Sequence, residues 1–175
     1  MRPAAIIVMG VSGSGKSTIG ALLAEALGWP FADADGFHPP ENVAKMAAGT
    51  PLTDKDRWPW LDAIAAHIGA ARQAGQPVVV ACSALRRAYR DRLRAGFQDV
   101  LFLHLSGAAE VIAARQAARA GHFMPPSLMA SQFATLESPD AEPDALTLSV
   151  AASPEEVVQA ALRAIAAAPD RPRLG

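Results

Sequence analysis

Residues 10–17 read Gly10-Val11-Ser12-Gly13-Ser14-Gly15-Lys16-Ser17, are followed by Thr18, and satisfy the pattern G-x-x-x-x-G-K-[ST] in full. Glycines at these points let a loop turn its backbone N–H groups inward around a phosphate, along a path that side chains would obstruct. A helix starting where the loop ends adds its positive pole to the same anion. Lys16 brings a point charge to the β- and γ-phosphates, and the Ser17 hydroxyl is a ligand for the Mg²⁺ that bridges them. Val11, Ser12, Ser14 and Thr18 belong to the same nucleotide-binding stretch. The chemistry implied is that of ATP with Mg²⁺. Its plainer alternative is a glycine-rich turn that matches by chance.

A phosphate cradle serves switches, motors and transferases alike, so the reaction has to be read elsewhere. Asp33 and Asp35 stand two residues apart near the end of a second apolar run. In an extended chain their side chains project to one side, towards the phosphates. One carboxylate can support hydrated Mg²⁺, and the other can accept a proton from a hydroxyl nucleophile. The competing reading is that both merely cap the next turn.

These groups need a scaffold, and the apolar pattern supplies one. Strands are expected over 4–9, 78–82, 100–105 and 145–150, with 30–34 a weaker fifth. Helices are expected at 17–26, near 40–48, at 58–74, 84–95 and 108–120, near 126–135 and at 154–168. Strands apolar at successive positions are buried on both faces, which requires helices on either side of a parallel sheet. The expected fold class is therefore α/β, the three-layer P-loop NTPase fold with a central parallel sheet and a small lid. One domain over 1–168 is expected, with a loosely held tail at 169–175.

Composition narrows the function further. The 175 residues carry a formal charge of −1, so there is no global field of the kind that gathers nucleic acid or anionic membrane. The single cysteine, Cys82, excludes an internal disulfide framework and fits a cytoplasmic location. The apolar run after Met1 is too short to span a membrane.

Arg115 and Arg119 lie four apart on an expected helix and share a face. They precede Gly121-His122-Phe123-Met124-Pro125-Pro126, which reads with them as a lid at about 115–126. Arg115 is assigned to the nucleotide. Arg119, carried in by closure, would stabilise charge on the transferring phosphoryl group while water is excluded. A solvated arginine stripe at a helix end is the plainer alternative.

The blocks that follow the loop are more specific. Residues 33–46 read Asp33-Ala34-Asp35-Gly36-Phe37-His38-Pro39-Pro40-Glu41-Asn42-Val43-Ala44-Lys45-Met46, and 49–61 read Gly49-Thr50-Pro51-Leu52-Thr53-Asp54-Lys55-Asp56-Arg57-Trp58-Pro59-Trp60-Leu61. With Cys82-Ser83-Ala84-Leu85-Arg86-Arg87-Ala88-Tyr89-Arg90-Asp91, Gly121-His122-Phe123 and Gln132-Phe133-Ala134-Thr135-Leu136-Glu137, they resemble the thermoresistant gluconokinase family over nearly the whole chain. The phosphate loop itself is shared with shikimate and nucleoside-monophosphate kinases. The resemblance implies transfer of the γ-phosphoryl group of ATP to the 6-hydroxyl of D-gluconate, with a homodimer as the working form. Another metabolite kinase, such as one acting on shikimate, is the alternative.

Carried across by this resemblance, Asp35 orients the attacking hydroxyl and takes its proton, and Asp33 serves the Mg²⁺ shell with Ser17. His38 would donate to a sugar hydroxyl, although an exposed or capping histidine is as good a reading of its chemistry. Arg57 is the first choice to grip the substrate carboxylate through two parallel hydrogen bonds, against an ordinary solvated helix start. Ser83 would bond the polyol. Arg86 and Arg87 stand where some family members carry lysines, which leaves open the one that reaches ligand. His122 is assigned to lid packing or substrate closure. Arg90, Arg92 and Arg94 are expected on the exposed face of their helix, paired in part with Asp91. The third strand does not end in an acidic residue, which turns attention to Asp33 for metal support.

Overall fold

The computed structural model describes residues 2–118 and 126–167. Its strands are β1 (Ala5–Met9), β2 (Phe31–Asp33), β3 (Val78–Ala81), β4 (Val100–Ser106) and β5 (Ala145–Ser149). Its helices are α1 (Lys16–Leu27), α2 (Pro40–Ala47), α3 (Asp54–Ala74), α4 (Arg87–Arg94), α5 (Ala109–Ala118), α6 (Pro126–Thr135) and α7 (Pro154–Ala167), with a 3-10 turn at Ala34–Phe37. All five strands are parallel, in the order β2-β3-β1-β4-β5. This is the three-layer α/β P-loop architecture that the apolar pattern predicts.

The period-two alternation of β1 divides the core. Ile6 and Val8 face one layer with Leu23, Val157 and Ala161, whereas Ala5, Ile7 and Met9 face the other with Leu61, Ile64 and Tyr89. Burial of every β1 residue follows from its central place. The edge strands β2 and β5 are only half-buried. Because the chain leaves β1 towards β3 and β2 but reaches β4 on its other side, the carboxyl end of β1 is the switch point where such sheets bind ligands.

Two boundaries differ from the sequence pattern for local reasons. Helix α3 starts at Asp54 rather than 58, because Thr53 and Asp56 form a reciprocal capping box that lengthens it by a turn. Helix α4 starts at Arg87 rather than 84, because Ala84 takes a left-handed conformation with φ of 45° that no helix can continue through. The expected tail at 169–175 lies outside the described residues. Among the described residues no helix is long and apolar enough to cross a membrane.

Candidate active site

The glycine loop joins β1 to α1. A Cβ on Gly10 would lie 2.8 Å from Ser14 Oγ and 2.9 Å from the Leu105 carbonyl, so only glycine fits where the loop passes the end of β4. Gly15, with φ of 93°, turns the chain left-handed into α1, leaving the helix N-terminus without a side-chain cap and its first amides for a ligand. Lys16 Nζ folds back to the Val11 carbonyl at 3.1 Å. The Ser14 hydroxyl is buried and, among the described residues, has no hydrogen-bond partner. A cavity of about 250 Å³ opens beside this loop, floored by Gly13, Ser14, Gly15 and Thr18 and walled by Ile19, Val150, Pro154 and Val157.

Opposite the loop, Ser17 Oγ donates to Asp33 Oδ2 at 2.5 Å. The same carboxylate caps the 3-10 turn by accepting from Asp35 N through Oδ1 at 3.0 Å. Asp35 therefore lies inside a turn, not in an extended strand, and the same-side argument from strand alternation does not apply to it. The turn sets its direction instead, because a short-range Asx hydrogen bond outcompetes strand continuation after β2. Trp60 Nε1 holds this turn from beneath by donating to the Ala34 carbonyl at 2.8 Å. The Cys82 thiol, at the end of β3, feels Lys16, Asp35 and Asp33, and burial pushes it up to about 12. A thiol so held is a packing group.

His38 follows the turn. Its ring stacks on Trp60 at 4.3 Å, and Nδ1 lies 3.2 Å from Asn42 Nδ2. That same Asn42 nitrogen donates to the Asp56 carbonyl at 2.9 Å, which identifies it as the amide NH₂. His38 Nδ1 must then accept, and the neutral ring carries its proton on Nε2 as a donor. Burial, the largest influence, lowers the His38 pKa, Asp35 opposes it and Arg57 adds to it. His38 thus sits within electrostatic reach of both Asp35 and Arg57.

In the first turn of α3, Arg57 Nη1 donates to Tyr89 Oη at 3.2 Å and lies 3.7 Å from Asp54. Tyr89 donates to Asp54, and Arg86 Nη1 reaches the same carboxylate at 3.3 Å. Two of the three guanidiniums that could hold a substrate carboxylate, Arg57 and Arg86, therefore share a resident one. Arg87 points elsewhere, 3.9 Å from Glu142 and largely exposed. The Ser83 carbonyl accepts from Gly10 N at 3.3 Å, which ties the end of β3 to the start of the glycine loop.

The arginines of α4 differ most from expectation. Arg92 is indeed exposed, paired with Asp62. Arg90 is fully buried, and every N–H of its guanidinium is used: Nε and Nη2 on Glu142, Nη1 on the Ala84 and Leu85 carbonyls, Nη2 also on the Glu137 carbonyl. Arg94 is largely buried against Glu142 and Asp144, with Asp91 at its rim. Burial alone would raise the Glu142 pKa, but hydrogen bonds from Arg90 and Arg94 outweigh it and hold the carboxyl below its ordinary range.

The backbone of Arg115 lies in α5, but its side chain, and all of Arg119 and His122, lie outside the described residues, as does most of the expected lid. Residues that the sequence did not mark as functional are Asp54, Tyr89, Asn42, Gln132 and the cavity wall at Val150, Pro154 and Val157. Of these only Asp54 carried a readable signal, a carboxylate three residues before an arginine.

The Ser17 and Asp33 pair offers hard oxygen donors at the phosphate cradle, the donor chemistry Mg²⁺ takes when phosphates and waters fill its other positions. Among the described residues no group of three or more acidic, histidine or cysteine side chains is placed to hold a metal ion.

A protein-family comparison matches residues 6–139 to a family described as AAA domain. A probable gluconokinase from Mus musculus is 45% identical over 93% of this chain and 98% of its own. A gluconokinase from Gluconobacter oxydans is 42% identical, covering 93% of this chain and 92% of its own. Among solved structures, a gluconokinase from Sinorhizobium meliloti 1021 superposes with a TM-score of 0.87 at 49% identity, over 95% of this chain and 94% of that one.

Proposed function

The chain belongs to the gluconokinase family, and from that premise we infer that its cleft moves the γ-phosphoryl group of ATP to the 6-hydroxyl of D-gluconate, giving 6-phospho-D-gluconate and ADP. The observation that carries this reading is the Asp33 carboxylate, which accepts from Ser17 Oγ at the start of α1 at 2.5 Å and from Asp35 N at 3.0 Å, and so ties the end of the phosphate loop to the turn that bears Asp35.

In this mechanism the glycine-loop amides and Lys16 hold the β- and γ-phosphates, and the cavity beside them seats the flat, weakly polar adenine between Ile19, Val150, Pro154 and Val157. Ser17 and Asp33 would hold Mg²⁺, which would supply positive charge to offset that of the phosphate oxygens. Arg57 and Arg86 take the gluconate carboxylate, and His38 Nε2 donates to a hydroxyl along the chain. Asp35 accepts the proton of the 6-hydroxyl as its oxygen bonds to the γ-phosphorus. The bond from that phosphorus to the β–γ bridging oxygen breaks, and ADP leaves with the electron pair. Arg115, Arg119 and His122 close over the transfer. The same reading makes the enzyme a cytoplasmic homodimer, supported by the family likeness.

A coupled assay of ADP release tests it, with D-gluconate, shikimate, other sugar acids and no acid as the arms. Turnover that requires D-gluconate is expected. Equal turnover without any acid, or a preference for shikimate, would overturn it.

A further inference from the structure

One peptide unit of the glycine loop is gripped from both sides. The Val11 carbonyl accepts from Lys16 Nζ at 3.1 Å and from Ser14 N at 3.2 Å. The Ser12 N–H, on the other edge of the same planar unit, donates to Gln132 Oε1 at 2.5 Å. Gln132 lies 120 residues away on α6.

That helix is a firm anchor. Met129 is buried in the core, and Phe133 and Leu136 pack against it. Gln132, three residues after Met129 and four before Leu136, stands on the same side of the helix. Just past the helix, Glu137 N donates to the Leu85 carbonyl at 2.7 Å, and Arg90 holds the Glu137 carbonyl at 3.0 Å. The side-chain amide is therefore presented to the loop by a packed element rather than a loose one.

We propose that Gln132 is a positioning residue for phosphoryl transfer, acting on Lys16 through the Val11–Ser12 peptide. The unit is rigid, so fixing its N–H edge fixes the direction of its carbonyl, and that carbonyl steers the ammonium. An acceptor on the N–H also polarises the unit and strengthens its hold on Lys16. The inference rests on the reading of residues 10–17 as a phosphate loop.

The test is a double-mutant cycle on ATP affinity, measured by calorimetry on wild type, Gln132→Met, Lys16→Met and the double variant, with gluconate kinetics on the first two. Methionine keeps the length of the side chain and removes the acceptor. Gln132→Met is expected to weaken ATP binding about fivefold, the worth of one hydrogen bond. In the Lys16→Met background the same change is expected to cost under about twofold, because the group being steered is gone. A fall in kcat with little change in KM for gluconate accompanies it. Equal factors in both backgrounds, or wild-type behaviour of Gln132→Met, would overturn the proposal. Gln132→Leu, read in the same way, serves if the methionine variant does not fold. A wild-type chain that bound no ATP would sink the phosphate-loop reading itself, which is a different result from either.

Discussion

Replacing Arg90 with methionine removes five N–H donors from a place that water does not reach. Glu142 keeps Arg94 and the Leu85 carbonyl keeps Glu137 N, so neither is stranded, but the Ala84 and Glu137 carbonyls lose their guanidinium partner together. Breaking a buried ion pair costs about 3–5 kcal/mol, and each carbonyl left unpaired about 1–3 kcal/mol, so some relaxation still leaves a loss of about 4 kcal/mol. For a chain of this size each kcal/mol moves the melting temperature by about 2–4 °C, giving a drop of roughly 12 °C. Urea titration followed by tryptophan fluorescence, with a thermal scan beside it, measures both. Arg90→Lys should recover less than half of the loss, since one ammonium cannot satisfy five directions. Arg92→Ala, on the same helix but exposed, should change nothing measurable. Because Ala84 and Leu85 follow Ser83 at the cleft, Arg90→Met should also raise KM for gluconate. A loss below about 1 kcal/mol with unchanged kinetics would show that the network does not hold this corner.

Asp35→Asn should lower kcat by about 10²-fold or more while ATP affinity, measured by calorimetry, stays within a factor of about two; normal turnover would remove Asp35 from the chemistry. Arg57→Lys should raise KM for gluconate by about tenfold and leave KM for ATP unchanged, since an ammonium cannot reproduce a two-pronged grip. Ser17→Ala should raise the Mg²⁺ concentration needed for half-maximal rate, read from a metal titration. Burial lowers the His104 pKa from its ordinary value, with Asp140 opposing and Arg90 assisting. Its neutral form therefore contributes stability that is complete above the unfolded value of about 6.5 and is lost as pH falls through the folded value. The melting temperature should drop in that acid window, and His104→Gln should flatten the drop.

What the sequence makes legible here is what is local. The glycine loop needs only its own glycines and the run before it, and apolar period alone places five strands in their layer. Asp33 shows where short-range reading stops. Its type suggests both a cap and a metal ligand, and the structure has it touching Asp35 N and Ser17 Oγ at once. Asp35 departs from the strand pattern because turn chemistry over two residues decides its direction, not the alternation of β2. Arg90 departs from the exposed helix face because its burial depends on Glu142, 52 residues later, and nothing in the helical spacing of 90, 92 and 94 reports that partner. Gln132 and the cavity wall at Val150 and Pro154 are further still from any local signal.

The acid end of the cleft has an electrostatic logic of its own. Arg57 and Arg86 carry two positive charges and share the single negative charge of Asp54, at contacts of 3.7 and 3.3 Å that leave most of their donors unused among the described residues. Asp54 is itself secured by Tyr89 and by its place in the first turn of α3, where a carboxylate is favoured. An incoming carboxylate therefore need not displace it: the group of three retains one net positive charge, enough to balance one acid and no more. A neutral sugar would leave that charge without a partner, and a second acidic group would lack one. On the function proposed here, selection for a monocarboxylic sugar acid thus arises as much from the resident aspartate as from the arginines. Asp54→Asn should then relax the discrimination against dicarboxylic sugar acids in a competition assay, and unchanged discrimination would return the whole selection to the shape of the cleft.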